Sequence, residues 1–170
     1  MESNVFKTSR AIVRPLKVSD IVGFYDMQSN ENVMRYIKPK MNLEESKKEL
    51  ERFINASMNE DQFYKIWAIE CKANPEFIGI CGVYENDKKE FEIAYRLREV
   101  YWGQDYGSEI ADNLIKYCFE ELGIEKLTAY VLPGNKGSVK ILENRMVYLG
   151  EEVTKDGIEK KFELTCENRV

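Results

Sequence analysis

From Phe63 the chain alternates apolar and polar residues through three successive runs, FYKIWAIE, FIGICGVY and EFEIAYRL. The connections KANPE and ENDKK are rich in turn formers, so the pattern predicts an antiparallel meander. Gly79 and Gly82 thin the middle run, and a glycine inside a strand marks a bulge or the close approach of another backbone. Ahead of the meander, Ala11 to Leu16 reads as a short strand and Ser19-Asp20 as the cap of a helix through Ile21, Phe24 and Met27. Glu31 to Ile37 reads as a short second helix. Asn42 and Glu45 have the spacing of a capping box for a third, whose buried stripe is Leu43, Leu50, Phe53 and Ile54.

Beyond the meander lies the turn YWGQDYGSE, followed by an amphipathic helix that buries Ile110, Leu114, Tyr117, Cys118 and Leu122 and stops at Gly123. Its polar face carries Asp112, Lys116 and Glu120, the last two spaced as a helical charge pair. The next strand, Leu127 to Leu132, is reached through that helix and is therefore predicted to run parallel to Phe91–Leu97. After PGN a last helix begins near Ser138, and VYLGEEV and IEKKFELT form a closing hairpin with Asp156-Gly157 at the turn. The sum is one domain over residues 1–170. Its class is α/β, a mixed, mostly antiparallel sheet of about seven strands flanked by about four helices.

Composition narrows the chemistry. The 170 residues are 44% apolar and 32% charged, ordinary values for one globular domain. No apolar run approaches the roughly 20 residues of a membrane span, and Met1 to Arg10 lacks the apolar core of a signal peptide, so a cytoplasmic protein is expected. A net charge of −5 argues against a nucleic-acid partner and slightly favours a cationic amine. The four cysteines show no C-x-x-C pairing and read as packing thiols. No histidine occurs anywhere, which excludes Ser-His-Asp and Cys-His machinery and argues against a metal site. Acid–base work falls to Glu, Asp, Tyr, Ser, Cys, backbone or water.

The turn before the fourth helix offers the most specific chemistry. Gly103 and Gly107 stand four residues apart, with Gln104 and Ser108 each following a glycine. The first N–H groups of a helix have no intrahelical partner, and the helix dipole adds positive potential, so the turn is either a plain connection or a phosphate site.

Strand, Q-x-x-G turn, helix, strand, Asn-x-x-Ser and helix follow in the order of the GNAT superfamily of acetyl-coenzyme A-dependent N-acetyltransferases, which the chain resembles. Trp102-Gly103-Gln104-Asp105-Tyr106-Gly107-Ser108-Glu109-Ile110 is similar to the WGQGYATEA turn of its ribosomal-protein N-terminal (Rim-type) acetyltransferase branch, with Asp105 at a usual glycine.

The resemblance implies that Gln104, Asp105, Tyr106, Gly107 and Ser108 hold the pyrophosphate of acetyl-coenzyme A, and that the backbone of Leu97 and Arg98 meets the pantetheine beside a splayed strand pair. Asn135 would bind the pantetheine or a water. Ser138 lies near the sulfur or serves only as a helix cap. Glu92 is the first candidate for the general base, the alternative being a surface carboxylate on the face shared with Glu90 and Ala94. Tyr36, Lys38 and Met41 border the acceptor groove or form a solvated loop.

The reaction implied is direct attack of a primary amine on the thioester. A protein or peptide N-terminus is favoured, with a polyamine, amino acid or aminoglycoside as alternatives. No metal, nucleic acid or membrane is expected, and the chain is a monomer or homodimer. Two departures leave open a cofactor-binding domain without turnover. Leu142 stands where many relatives have a tyrosine, and Asn144-Arg145-Met146-Val147 replaces Lys-Leu-Gly-Phe, making Asn144 the candidate left-handed helix stop.

Overall fold

The alternating runs do form the centre of the sheet. In the computed structural model, which describes residues 3–169, they are β3 (Tyr64–Cys71), β4 (Phe77–Glu85) and β5 (Phe91–Leu97). Preceding them are β1 (Phe6–Lys7) and β2 (Ala11–Pro15), and following them β6 (Lys126–Val131), β7 (Val147–Thr154) and β8 (Gly157–Thr165). The eight strands make one sheet in the order β1-β2-β3-β4-β5-β6-β8-β7, in which β5 and β6 are parallel and the other neighbours antiparallel. The two-residue β1 is the strand that the sequence pattern did not reveal. Gly79 and Gly82 are close approaches: an added Cβ would lie 2.2 Å from Arg96 O and 2.0 Å from Lys65 O.

Among the described residues five α-helices cover the two faces. On one side lie α1 (Ile21–Ser29), α2 (Glu31–Met34) and α3 (Leu43–Met58), where Phe24, Met27, Leu50 and Phe53 pack with Ile66, Ala68 and Ile80 of the sheet. On the other lie α4 (Tyr106–Glu120) and α5 (Lys136–Glu143), where Ile110, Leu114 and Leu142 pack with Ile69, Val83, Ile93 and Leu127. Asn42 caps α3 with both hydrogen bonds of the expected capping box.

Several local expectations are corrected. The second helix stops at Met34 rather than Ile37. Leu43 is 42% exposed, because α3 begins one turn before its inward stripe of Ser46, Leu50 and Phe53 reaches the sheet. Glu120 pairs with Arg169 at 2.8 Å rather than with Lys116. The last helix starts at Lys136 with Asn135 as its cap, so Ser138 lies inside the first turn. Asn144 is right-handed at φ −81°, and α5 ends without a left-handed residue as Arg145 N and Met146 N both donate to Leu142 O. Thr154 pairs with Gly157, which makes Lys155 and Asp156 the hairpin loop.

One polar anchor fixes where α4 begins. Glu109 accepts from Thr8 Oγ1 at 2.6 Å, Arg10 N at 2.8 Å and Arg10 Nε at 2.8 Å. Burial works to raise its pKa, but these hydrogen bonds outweigh it and hold the carboxyl at about 2. A depressed carboxylate contributes stability that is complete above its unfolded value and is lost as pH falls through the folded one. Glu109→Gln should therefore lower unfolding free energy by about 1–3 kcal/mol at neutral pH. It should also flatten the loss of stability between pH 4.5 and about 2, which urea titrations across that range would show.

Candidate active site

The site is built where β5 and β6 part. A single bridge, Glu92 with Thr128, joins the parallel pair, and beyond it the strands diverge. Arg98 N donates to Ile78 O at 2.9 Å, and the antiparallel ladder alternates direction along a strand. The same parity that turns Arg98 and Arg96 to β4 therefore turns the backbone groups of Tyr95 and Leu97 to the gap. Trp102 Nε1 donates to Leu97 O at 3.1 Å. At the point of parting, the Oγ1 of buried Thr128 has no hydrogen-bond partner.

A cavity of about 710 Å³ opens on the α4 and α5 side of this gap. Its floor includes the start of α4, where the first intrahelical bond runs from Glu109 N to Asp105 O at 3.1 Å, leaving the N–H groups of Tyr106, Gly107 and Ser108 without intrahelical partners. Gly107 leaves room there, since an added Cβ would meet Ile141 Cδ1 at 2.9 Å. Arg35, Lys136 and Lys140 also line the cavity. Cations, free amides and a glycine cradle together suit a phosphorylated ligand. Asp105 adopts the left-handed conformation at φ 65° and its side chain makes no capping bond, which explains why glycine serves well at this position. Asp105→Gly should remove a carboxylate from the anion-attracting end of α4, tightening the binding of a phosphorylated ligand held there roughly two- to fivefold by calorimetry.

A second cavity of about 200 Å³ opens on the opposite side, lined among others by Tyr84, Glu92, Asp156 and Glu159. Burial pushes the Glu92 carboxyl up, with Glu159 and Glu90 adding to this, while hydrogen bonds from Asn86 and Tyr84 oppose it. Asn86 Nδ2 lies 3.1 Å from Glu92 Oε2. Burial likewise raises the Glu159 carboxyl and the Tyr84 hydroxyl. Such a carboxylate is poised to hold or take a proton from a cationic amine.

Six residues line both cavities: Tyr36, Ile37, Tyr95, Arg96, Asn135 and Ser138. The Tyr95 hydroxyl and Ser138 Oγ are 3.1 Å apart, and burial pushes the phenol pKa up, which keeps it protonated. Asn135 Oδ1 accepts from Ser138 N at 3.4 Å, orienting Ser138 within the first turn of α5.

Of the residues singled out in the sequence, Leu97, Asp105, Tyr106, Gly107 and Ser108 line the larger cavity and Glu92 the smaller one, while Ser138, Asn135 and Tyr36 line both. Four lie outside both linings. Arg98 turns its N–H to Ile78 and its side chain to Asp26 and Glu76 at 2.8 and 2.7 Å. Gln104 Nε2 donates to Val100 O at 3.0 Å and braces its own turn. Lys38 pairs with Glu49 at 2.6 Å. The Met41 sulfur sits 3.6 Å from Gln28 Nε2. Tyr95 and Arg96 are the residues that sequence reasoning missed. Their place on the strand flanking the Q-x-x-G turn was the available signal. Among the described residues no His, Cys, Asp and Glu cluster suits a metal, and no helix is long and apolar enough to cross a membrane.

The mixed sheet is thus parted at one parallel pair, with an open helix start on one side and the part-buried Glu92 carboxylate on the other. Residues 10–144 match the model of the acetyltransferase (GNAT) domain, and the chain belongs to that family. It is 28% identical over 153 residues to the uncharacterized N-acetyltransferase p20 of Bacillus licheniformis, spanning 88% of this chain and 84% of that one. The fold is similar to a GNAT-family acetyltransferase from Bacillus anthracis, with a TM-score of 0.82 at 19% identity over 95% of this chain and 98% of that one. It is also similar to RimL, a ribosomal L7/L12 α-N-protein acetyltransferase in complex with coenzyme A, with a TM-score of 0.79 at 15% identity over 96% and 98% of the two chains.

Proposed function

We propose that this chain is an acetyl-coenzyme A-dependent N-acetyltransferase of the Rim-type branch, acting on a primary amine and preferably on a protein or peptide N-terminus. The observation that carries the reading is the gap beyond the Glu92–Thr128 bridge, into which Tyr95 and Leu97 turn their backbone groups between the two cavities. The Gln104-to-Gly107 turn and the Asn135–Ser138 pair support the branch assignment.

The start of α4 would hold the pyrophosphate through the Tyr106, Gly107 and Ser108 amides, and the backbone of Tyr95 and Leu97 would orient the pantetheine arm. Acetyl-coenzyme A supplies the thioester whose carbonyl carbon takes the amine nitrogen and whose sulfur leaves as thiolate. Only the neutral amine has a lone pair to attack, so Glu92 serves as the base that accepts the ammonium proton, directly or through a water. Backbone N–H groups at the gap stabilise negative charge on the carbonyl oxygen. With Leu142 buried in the core, the acid comes from the Tyr95 hydroxyl, coupled to Ser138, which returns a proton to the departing sulfur.

The test is release of free thiol from acetyl-coenzyme A in the presence of a serine-initiated peptide and of the same peptide already N-acetylated. Turnover with the first and none with the second supports the reading; none with either removes it. Tyr95→Phe and Ser138→Ala should each lower kcat roughly tenfold or more while leaving acetyl-coenzyme A affinity unchanged. The double variant should be little worse than the poorer single one, because the two hydroxyls act as a unit.

A further inference from the structure

Arg96 is a site cation with an enclosed guanidinium nitrogen that, among the described residues, no acid answers. It follows Tyr95 on β5 and shares a face with Glu92 and Ala94, opposite Ile80 on β4. Its Nε is enclosed and has no hydrogen-bond partner. Its Nη1 donates to the Oε1 of Gln28, a fully buried neutral amide. Among the described residues Arg96 joins no ion pair. The acid whose field reaches it, Glu49, is already taken by Lys38 at 2.6 Å and Arg52 at 2.7 Å. Burial lowers the Arg96 pKa only to about 10, so the group stays charged at neutral pH. The residue is part-exposed, and it lines both cavities.

A desolvated guanidinium with one neutral partner is costly to retain unless something pairs with it. A core position would be better filled by an apolar side chain, as at Ile80 and Ile66 beside it. A peptide carbonyl could accept the Nε hydrogen but would leave the charge uncompensated, whereas a carboxylate answers both with two parallel hydrogen bonds. The acceptor enters where Arg96 and Glu92 stand four residues apart on one strand face, about 13 Å between Cα atoms. One end of that groove thus suits an ammonium and the other an anion.

We propose that Arg96 is an acceptor-recognition residue and that the acceptor is an amine bearing a carboxylate, which pairs with the Arg96 guanidinium while the amine lies toward Glu92. The inference rests on the acetyltransferase reading above. The carboxylate belongs either to an acidic side chain near a peptide N-terminus or to a free amino acid.

The experiment compares kcat/KM, expressed per neutral amine, for two matched acceptor pairs. These are seryl-glutamyl-alaninamide against seryl-glutaminyl-alaninamide, and L-serine against L-serinamide, with n-butylamine as the carboxylate-free control. In one pair or both, the carboxylate member should be preferred by roughly tenfold or more, and which pair responds identifies the source. Arg96→Gln should bring that ratio to within about twofold while acetyl-coenzyme A affinity is unchanged, and Arg96→Lys, which keeps the charge, should retain part of the preference. A purely structural role would lower both members of a pair equally. Because the wild-type ratios need no variant, a ratio near one in both pairs overturns the proposal even if Arg96→Gln fails to fold. A preference that survives Arg96→Gln, or transfer to n-butylamine alone, also overturns it. Absence of transfer to all five acceptors counts against the acetyltransferase reading as well, whereas transfer without discrimination counts against Arg96 only.

Discussion

Replacing Gly107 with glutamate should leave the protein folded and weaken acetyl-coenzyme A binding by 100-fold or more. Gly107 is the second residue of α4, where a carboxylate is favoured by the helix dipole and costs the fold little. The atom that an added Cβ would meet is the Cδ1 end of Ile141, 2.9 Å away, which a small rotation can move. The rest of the side chain must enter the cavity of about 710 Å³. There it would bring its negative charge against an incoming pyrophosphate and compete for the Tyr106, Gly107 and Ser108 amides. Two adverse effects on the same atoms, steric and electrostatic, make this the largest binding loss expected of any single change. Thermal melting would verify the fold, and calorimetry the loss.

Glu92→Gln should lower kcat roughly 100-fold with little change in KM for acetyl-coenzyme A, the size expected for losing a positioned base. Glutamine keeps the shape and the contact with Asn86 but cannot accept a proton. The pH profile gives a sharper readout. Burial raises the Glu92 carboxyl above its ordinary value, so the active deprotonated form is lost as pH falls through that raised value. Wild-type kcat/KM should therefore rise with pH along a limb displaced toward neutrality, and the limb should vanish in Glu92→Gln. An unchanged rate and profile in the variant would remove Glu92 from the mechanism and leave the amine to be deprotonated by solvent.

The parts of the fold legible in the sequence are those set by local pattern. The β3–β5 meander follows from period-two alternation and turn-rich connections, and the capping box at Asn42 and Glu45 follows from residue type at a fixed spacing. The parallel placement of β6 follows from the crossover helix. What escaped depends on neighbours distant in sequence. Leu43 has the right period yet lies beyond the edge of the core. The sequence shows that Leu97 and Arg98 precede the Q-x-x-G turn, but which of the two faces the gap is decided by register with β4, where Arg98 N finds Ile78 O. That Tyr95 borders a cavity escaped as well, because alternation alone cannot show that the neighbouring strand leaves. Lys38 and Met41 lie in the connection between α2 and α3, where Glu49 and Gln28, from α3 and α1, engage their polar atoms. The helix start at Lys136 rather than near Ser138 turned on the choice of Asn135 as cap, and both residues were eligible by type.

Calorimetric titration of the wild-type chain with acetyl-coenzyme A tests the central claim most directly. The account predicts one site per chain with a dissociation constant in the micromolar range, about −8 kcal/mol, and no measurable heat with Gly107→Glu. Absence of binding to the wild-type chain, or equal binding by the variant, would contradict it.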